Sequence, residues 1–125
     1  MNEYSSLKGK TGLKRIFHAT GYSLAGFKAA FKHEAAFRQI VLINACLIPI
    51  TFLLNISRLE QAVLIAVCLL AVIVELLNSA IEAVVDRISL DKHPLSKNAK
   101  DMGSAAQFVA QCIIIITWLL ILLAK

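Results

Sequence analysis

Three apolar runs stand out along the chain, at about 39–56, 62–85 and 105–124. Each is close to the roughly 20 residues that cross a hydrocarbon core, so each predicts a transmembrane helix. Over 12–33 the pattern is different. Leu13, Ile16, Phe17, Leu24, Phe27, Ala30 and Phe31 recur at spacings of three and four, with Lys14, Arg15, Lys28 and Lys32 at other positions. That periodicity predicts a basic amphipathic helix lying at a membrane surface. Gly21 and Gly26 count against one straight helix there. Residues 1–11 read as a loose polar tail. Pro49 falls inside the first run and predicts a kink that a spanning helix tolerates. The link at 57–61 is short, which makes the first two spans a tight antiparallel pair. The link at 86–104 is longer and polar, and Ser96, after Pro94, is a candidate cap for a short helix ahead of the third span. The expected fold is a single all-α membrane domain over 1–125, with a surface helix and three transmembrane helices.

Composition agrees with lipid as the solvent. The chain has 125 residues and is 58% hydrophobic, against about 45–50% for soluble domains. The net charge of +5 is not spread evenly. Seven Lys/Arg precede the first span and four lie in the 86–104 link, whereas the 57–61 link has only Arg58 and the C-terminus only Lys125. The positive-inside rule therefore puts the N-terminus and the long link in the cytoplasm. No basic face interleaved with aromatics suggests nucleic acid. The first 38 residues contain no apolar segment of the signal-peptide kind. Cys46, Cys68 and Cys112 each lie alone in an apolar run, without metal or disulfide spacing, and read as packing residues. Gly9-Lys10-Thr11 is not a phosphate-binding loop, because Tyr4 stands where that motif needs glycine.

The second span carries the chemistry. Glu75, Asn78, Ser79, Glu82 and Asp86 fall within about 100° of one helix face, and the opposite face is Val, Ile, Leu and Ala. A carboxylate at the bilayer centre costs at least about 2.5–3.5 kcal/mol, so an intramembrane carboxylate marks a site or an ion path. Counting from Ala62, Glu75 lies about 20 Å along its helix and Glu82 about 10 Å beyond it. The stripe thus runs from lipid depth to the cytoplasmic surface, where a lipid's polar end can meet a water-soluble cosubstrate. Three helices are too few to shield such a stripe, which predicts a homo-oligomer. Glu34 stands between Lys32 and Arg38 just ahead of the first span. Asp91-Lys92-His93 and Lys100-Asp101 lie in the long link. Taken singly these are ordinary solvated charges; taken with the stripe they suit a metal-bound polyphosphate.

The stretch 75–87, ELLNSAIEAVVDR, closely resembles the signature of the prokaryotic integral-membrane diacylglycerol kinases. Gly21-Tyr22-Ser23, Glu34-Ala35-Ala36-Phe37-Arg38-Gln39 and Ala99-Lys100-Asp101-Met102-Gly103-Ser104-Ala105-Ala106 are similar to that family, in order and spacing. The resemblance covers about 12–120. It implies a homotrimer in the bacterial cytoplasmic (inner) membrane that moves the γ-phosphate of ATP to diacylglycerol, with Mg²⁺, forming phosphatidate. Carried over by residue, it implies Glu75 as general base with Asn78 beside it, and Glu34 and Glu82 as metal ligands. It implies ATP contacts from Arg15, Tyr22, Glu34, Glu82, Asp91, Lys92, His93, Lys100 and Asp101. Lipid contacts would come from Arg15, Ala19, Thr20, Gly21, Tyr22, Ser23, Ala36, Phe37, Arg38, Gln39, Glu75, Ser104 and Trp118. Ile40, Leu24 and Thr20 depart from the family pattern at the lipid contacts. Two rival readings share the stripe: an undecaprenol kinase, and a small proton-coupled transporter using Glu75. The transporter leaves Glu34 and Lys100-Asp101 without a task.

Overall fold

The computed structural model describes residues 12–125 and is helical throughout its ordered elements: α1 (Gly12–His33), α2 (Ala35–Thr51), α3 (Arg58–Ile88) and α4 (Pro94–Leu123). The tail expected over 1–11, with Gly9-Lys10-Thr11, lies outside the described residues. Helix α3 packs most extensively on α4 and next on α2. At 1.5 Å per residue, α3 (31 residues) runs about 46 Å and α4 (30 residues) about 45 Å. Both are long and apolar enough to cross a membrane. Both also exceed the ~30 Å hydrocarbon core, so each carries a polar extension beyond it. The protein is an integral membrane protein by this construction.

The third crossing is made differently. Helix α2 has 17 residues, and it meets the span criterion only together with α1, from which it is bent by 107°. The elbow is Glu34, in extended backbone between the two helices. Arg38 fastens it: its Nη1 donates to the carbonyls of Phe31 (2.7 Å) and Lys32 (3.2 Å), two of the carbonyls left without partners where α1 ends. Gly21 and Gly26 do not break α1, because a glycine in a helix interior weakens it by only about 1 kcal/mol. Leu13, Phe17, Leu24 and Phe31 remain exposed along α1, which is the apolar stripe a surface helix turns to lipid.

The first run ends sooner than its hydropathy suggests. Helix α2 stops at Thr51, not at 56, and the 52–57 segment forms the turn. Thr51 Oγ1 donates to the Ile48 carbonyl and accepts from Gln61 Nε2, so the side chain that closes α2 is also tied to α3. Ser57 then opens α3 with a capping box: its hydroxyl accepts from Glu60 N–H, and Glu60 Oε1 accepts from Ser57 N–H. Pro49 sits in the last turn of α2, where the helix was about to end.

The third run starts earlier than expected. Ser96 caps nothing, and no separate short helix precedes the span. Helix α4 is continuous from Pro94, with His93 as its cap: His93 Nδ1 accepts from Leu95 N–H at 3.1 Å. Proline at the first helical position loses no bond, because that N–H has no helical partner anyway.

Buried apolar side chains gather in one cluster: Ile40, Leu64, Cys68, Ala71, Ala110, Ile114 and Trp118. Asn44 crosses it, donating from Nδ2 to the Cys68 carbonyl at 2.8 Å and pinning α2 to α3 at depth. The cluster makes a rigid base from which the longer ends of α3 and α4 project toward the polar stripe.

Candidate functional site

Helix α3 delivers its stripe as a graded series. Glu75 is 3% exposed, Asn78 and Ser79 8%, Glu82 is half-buried and Asp86 exposed. The gradient follows from helix periodicity and from α3 outrunning the apolar cluster. Polar side chains near Ala71 are enclosed by α4, while those three turns on reach the end of the packed region.

A cleft of about 520 Å³ opens along this stripe. Glu75, Asn78 and Glu82 line it from α3, Glu34, Ala36 and Gln39 from the elbow and the start of α2, and Ser104, Gln107 and Gln111 from α4. The 107° bend is what brings Glu34 here. Its carboxylate makes no cap hydrogen bond to its own helix. No ion pair to Glu34 or Glu82 is found among the described residues; the three pairs there are Lys97–Asp101, Lys100–Asp86 and Lys125–Glu60. Glu82 lies within electrostatic reach of Glu34, Glu75 and Asp86, with Lys100 the opposing charge. With Glu34 and Glu82 in no ion pair among the described residues and Lys100 already held by Asp86, this gathering of carboxylates favours a further cation.

A second hollow, about 680 Å³, adjoins at the 86–104 link. Asp86, Asp91, Lys92, His93, Lys97, Lys100 and Asp101 line it. Lys100 Nζ holds Asp86 Oδ1 at 2.7 Å and also feels Glu82, so it stands at the seam between the hollow and the cleft. Lys97 Nζ holds Asp101 Oδ2 at 2.6 Å. No group of three or more His, Cys, Asp or Glu that could by itself hold a metal ion is found among the described residues. Two carboxylates, Glu34 and Glu82, nonetheless fit what Mg²⁺ asks of a protein when phosphate oxygens supply other ligands.

The remaining residues singled out from the sequence are distributed more widely. Arg15, Ala19, Thr20, Gly21, Tyr22 and Ser23 lie on exposed α1 and do not line the cleft. Thr20 and Ser23 hydroxyls donate back to the carbonyls of Ile16 and Ala19. Phe37 is buried and faces a groove with Phe27, Phe31 and Val41. Arg38 is engaged at the elbow. Trp118 belongs to the apolar cluster, with its indole nitrogen buried near the Cys68 thiol.

Three contributors to the cleft were not legible as such. Gln107 Nε2 donates to Glu75 Oε2 and to the Ala71 carbonyl, each at 3.1 Å. Gln111 Nε2 donates to Gln107 Oε1 at 2.9 Å. Two glutamines four apart inside an apolar run were the available signal. Gly103 is the third: a Cβ built there would sit against Asn78 Oδ1 and 3.1 Å from Asn78 Cγ. Glycine is what lets α4 close on the stripe at this point.

The single chain thus encloses the deep part of the stripe by itself, so the expectation that three helices cannot shield it fails for Glu75, Asn78 and Ser79. Two polar atoms there, Asn78 Oδ1 and Ser79 Oγ, have no hydrogen-bond partner among the described residues.

Long apolar helices that carry acidic side chains from lipid depth to a charged aqueous hollow define a membrane-embedded protein with an enzyme-like site. Sequence comparison narrows the class. The model of the prokaryotic diacylglycerol kinase family matches residues 21–122. A diacylglycerol kinase of Pseudomonas aeruginosa is 73% identical over 119 residues, 95% of this chain and 97% of that protein. Those of Haemophilus influenzae and Escherichia coli strain K12 are 49% identical over 108 residues and 47% over 112, covering 86% and 90% of this chain and 92% of each relative. The chain belongs to the prokaryotic diacylglycerol kinase family.

Replacing Gly103 with Ala should drive the added methyl into buried Asn78. The expected cost is about 1–3 kcal/mol in unfolding from mixed micelles, as for other overpacked contacts, together with reduced turnover. A Gly103→Ala protein with unchanged stability and turnover would mean that Asn78 can swing aside freely.

Proposed function

We propose that the protein transfers the γ-phosphate of ATP to the free hydroxyl of diacylglycerol, yielding phosphatidate and ADP. The observation that carries this reading is a buried carboxylate, Glu75, sharing one cleft with Glu34 and Glu82. Family membership supports the substrate. The work is done in the bacterial inner membrane, with the N-terminus and the 86–104 link cytoplasmic, as the lysine and arginine asymmetry argues.

Phosphoryl transfer asks a protein chiefly for positioning and charge neutralisation. Glu34 and Glu82 would hold Mg²⁺, and the ion would supply positive charge to the phosphates as negative charge builds there. Lys100 opposes the same charge from the seam, and Asp91, Lys92, His93 and Asp101 receive the rest of the nucleotide in the hollow. Arg15 and Tyr22 on α1 close the nucleotide side. The lipid comes in from the membrane against Ala36 and Gln39, with Ser104 across the cleft and the α1 segment of Ala19, Thr20, Gly21 and Ser23 above. Phe37, Arg38 and Trp118 complete the lipid contacts from α2 and α4. A lipid hydroxyl lies at headgroup depth, and a glycerol chain reaching down the cleft meets Glu75. Glu75 takes the hydroxyl proton as the new O–P bond forms and the bond from phosphorus to the ADP oxygen breaks. Asn78 sits one turn from Glu75 and steadies the polar face.

Glu75→Gln keeps the side chain's shape and removes the proton acceptor. With radiolabelled ATP, Mg²⁺ and diacylglycerol in mixed micelles, labelled phosphatidate should fall by at least about 10²-fold, the lower range for loss of a general base, with ATP affinity retained. Near-normal turnover would remove Glu75 from that role. Undecaprenol offered in the same assay separates the two lipid acceptors.

Glu82→Ala should raise the Mg²⁺ concentration for half-maximal rate by about tenfold or more, since even second-shell losses reach that size. An unchanged metal requirement would exclude Glu82 from the metal site.

The assembly is a homotrimer in this reading. Family resemblance supports it. Crosslinking of active protein in micelles should stop at three chains; a preparation that is active and only monomeric would rule the trimer out.

A further inference from the structure

Gln107 does more than join two helices. It lies on α4, half-buried, opposite the turn of α3 that carries Ala71 and Glu75. Both oxygens that face its nitrogen, the Ala71 carbonyl and Glu75 Oε2, are acceptors without a proton to give when Glu75 is ionised. The amide orientation is therefore determined: turned over, Oε1 would confront two acceptors. Gln111, one turn further on, holds that orientation by donating to Gln107 Oε1. The result is a chain of donors, Gln111 to Gln107 to Glu75, running along the wall of the cleft that all three residues line. Only one carboxylate oxygen of Glu75 is used, and Oε1 has no hydrogen bond among the described residues.

We propose that Gln107 is a positioning residue for phosphoryl transfer: it fixes Glu75 through Oε2 so that Oε1 faces the incoming hydroxyl, and Gln111 sets the Gln107 amide. The inference rests on the reading of Glu75 as the base. Its physical basis is that a carboxylate in an apolar wall has two rotatable bonds beyond its χ1 torsion and few partners. Anchoring one oxygen to a donor that is itself tied to helix backbone restricts the carboxylate plane. A reacting group displaced by about 1 Å can cost on the order of 10²-fold in rate. A second donor upstream polarises the first and strengthens the contact. A glutamine that only glued α4 to α3 would need the Ala71 carbonyl alone, and Gln111 would have no part in it.

The test uses the full-length protein in mixed micelles, with kcat and both KM values determined beside a thermal unfolding curve. Gln107→Met keeps the length and removes the donor. Turnover should fall by about 10–10²-fold, with KM for ATP and for diacylglycerol within about twofold, and with melting close to that of the parent. Gln111→Leu touches Gln107 without touching Glu75, so it should lower kcat by a smaller factor, again at constant KM. It decides the matter if Gln107→Met does not fold. Parental kcat in either folded variant overturns the proposal. So does a loss explained wholly by a higher KM or by a smaller folded fraction. Those results leave the base assignment standing when Glu75→Gln is inactive. An active Glu75→Gln protein removes the base assignment itself, whatever the glutamine variants do.

Discussion

A carboxylate at lipid depth is unfavourable unless something in the fold answers for it, and the placement of Glu75 constrains the rest of the molecule. It is 3% exposed, in the helix that contacts all the others. To bury it, α4 must pack closely along α3, which requires Gly103 opposite Asn78. To satisfy it, α4 must bring an amide donor to the same turn, which is Gln107. To keep it reachable, the enclosure must stay open on one side, and that side is the cleft bounded by the elbow at Glu34. Apolar packing at Leu64, Cys68, Ala71 and Trp118 supplies the rigid base that makes these demands compatible.

The elbow shows how local chemistry becomes placement of a functional group. Glu34 N–H bonds back to Ala30, closing α1, and Arg38 N–H bonds to the Glu34 carbonyl, opening α2. Arg38 reaches over to cap the α1 carbonyls. One residue of extended backbone therefore turns a surface helix into a descending one and leaves its own side chain pointing into the cleft. The short α2 is tolerable because α1 takes up the interface above it. Without the bend, Glu34 would continue a helix face and would not stand near Glu82.

Much of the plan was legible in the sequence because lipid imposes a blunt code. A run of about 20 apolar residues and a single face bearing Glu75, Asn78, Ser79 and Glu82 are difficult to read as anything but spanning helices with a buried polar stripe. What was not legible depended on details that hydropathy averages away. The end of α2 at Thr51 follows from one hydroxyl hydrogen-bonding its own helix and one glutamine reaching across the turn. The start of α4 at Pro94 follows from a histidine acting as cap, a role more often filled by serine or threonine. Gln107 and Gln111 are two polar residues four apart in an otherwise apolar run. Only the register of α4 on α3 turns them toward Glu75, and register between helices is a property of packing, not of periodicity.

Helix register also sets how much of the site lies within one chain. Glu34 from the elbow and Glu75 and Glu82 from α3 line a single cleft within this chain. Asn78 Oδ1 and Ser79 Oγ are different: they are buried on α3 and find no partner on α2 or α4 among the described residues. An unpaired buried polar atom costs about 1–3 kcal/mol, and Asn78 Oδ1 meets α4 where Gly103 leaves room for it. Glu75, by contrast, is held from within the chain by the Gln107 amide. On the reading proposed above, the base is thus preorganised by the fold before ATP and lipid arrive.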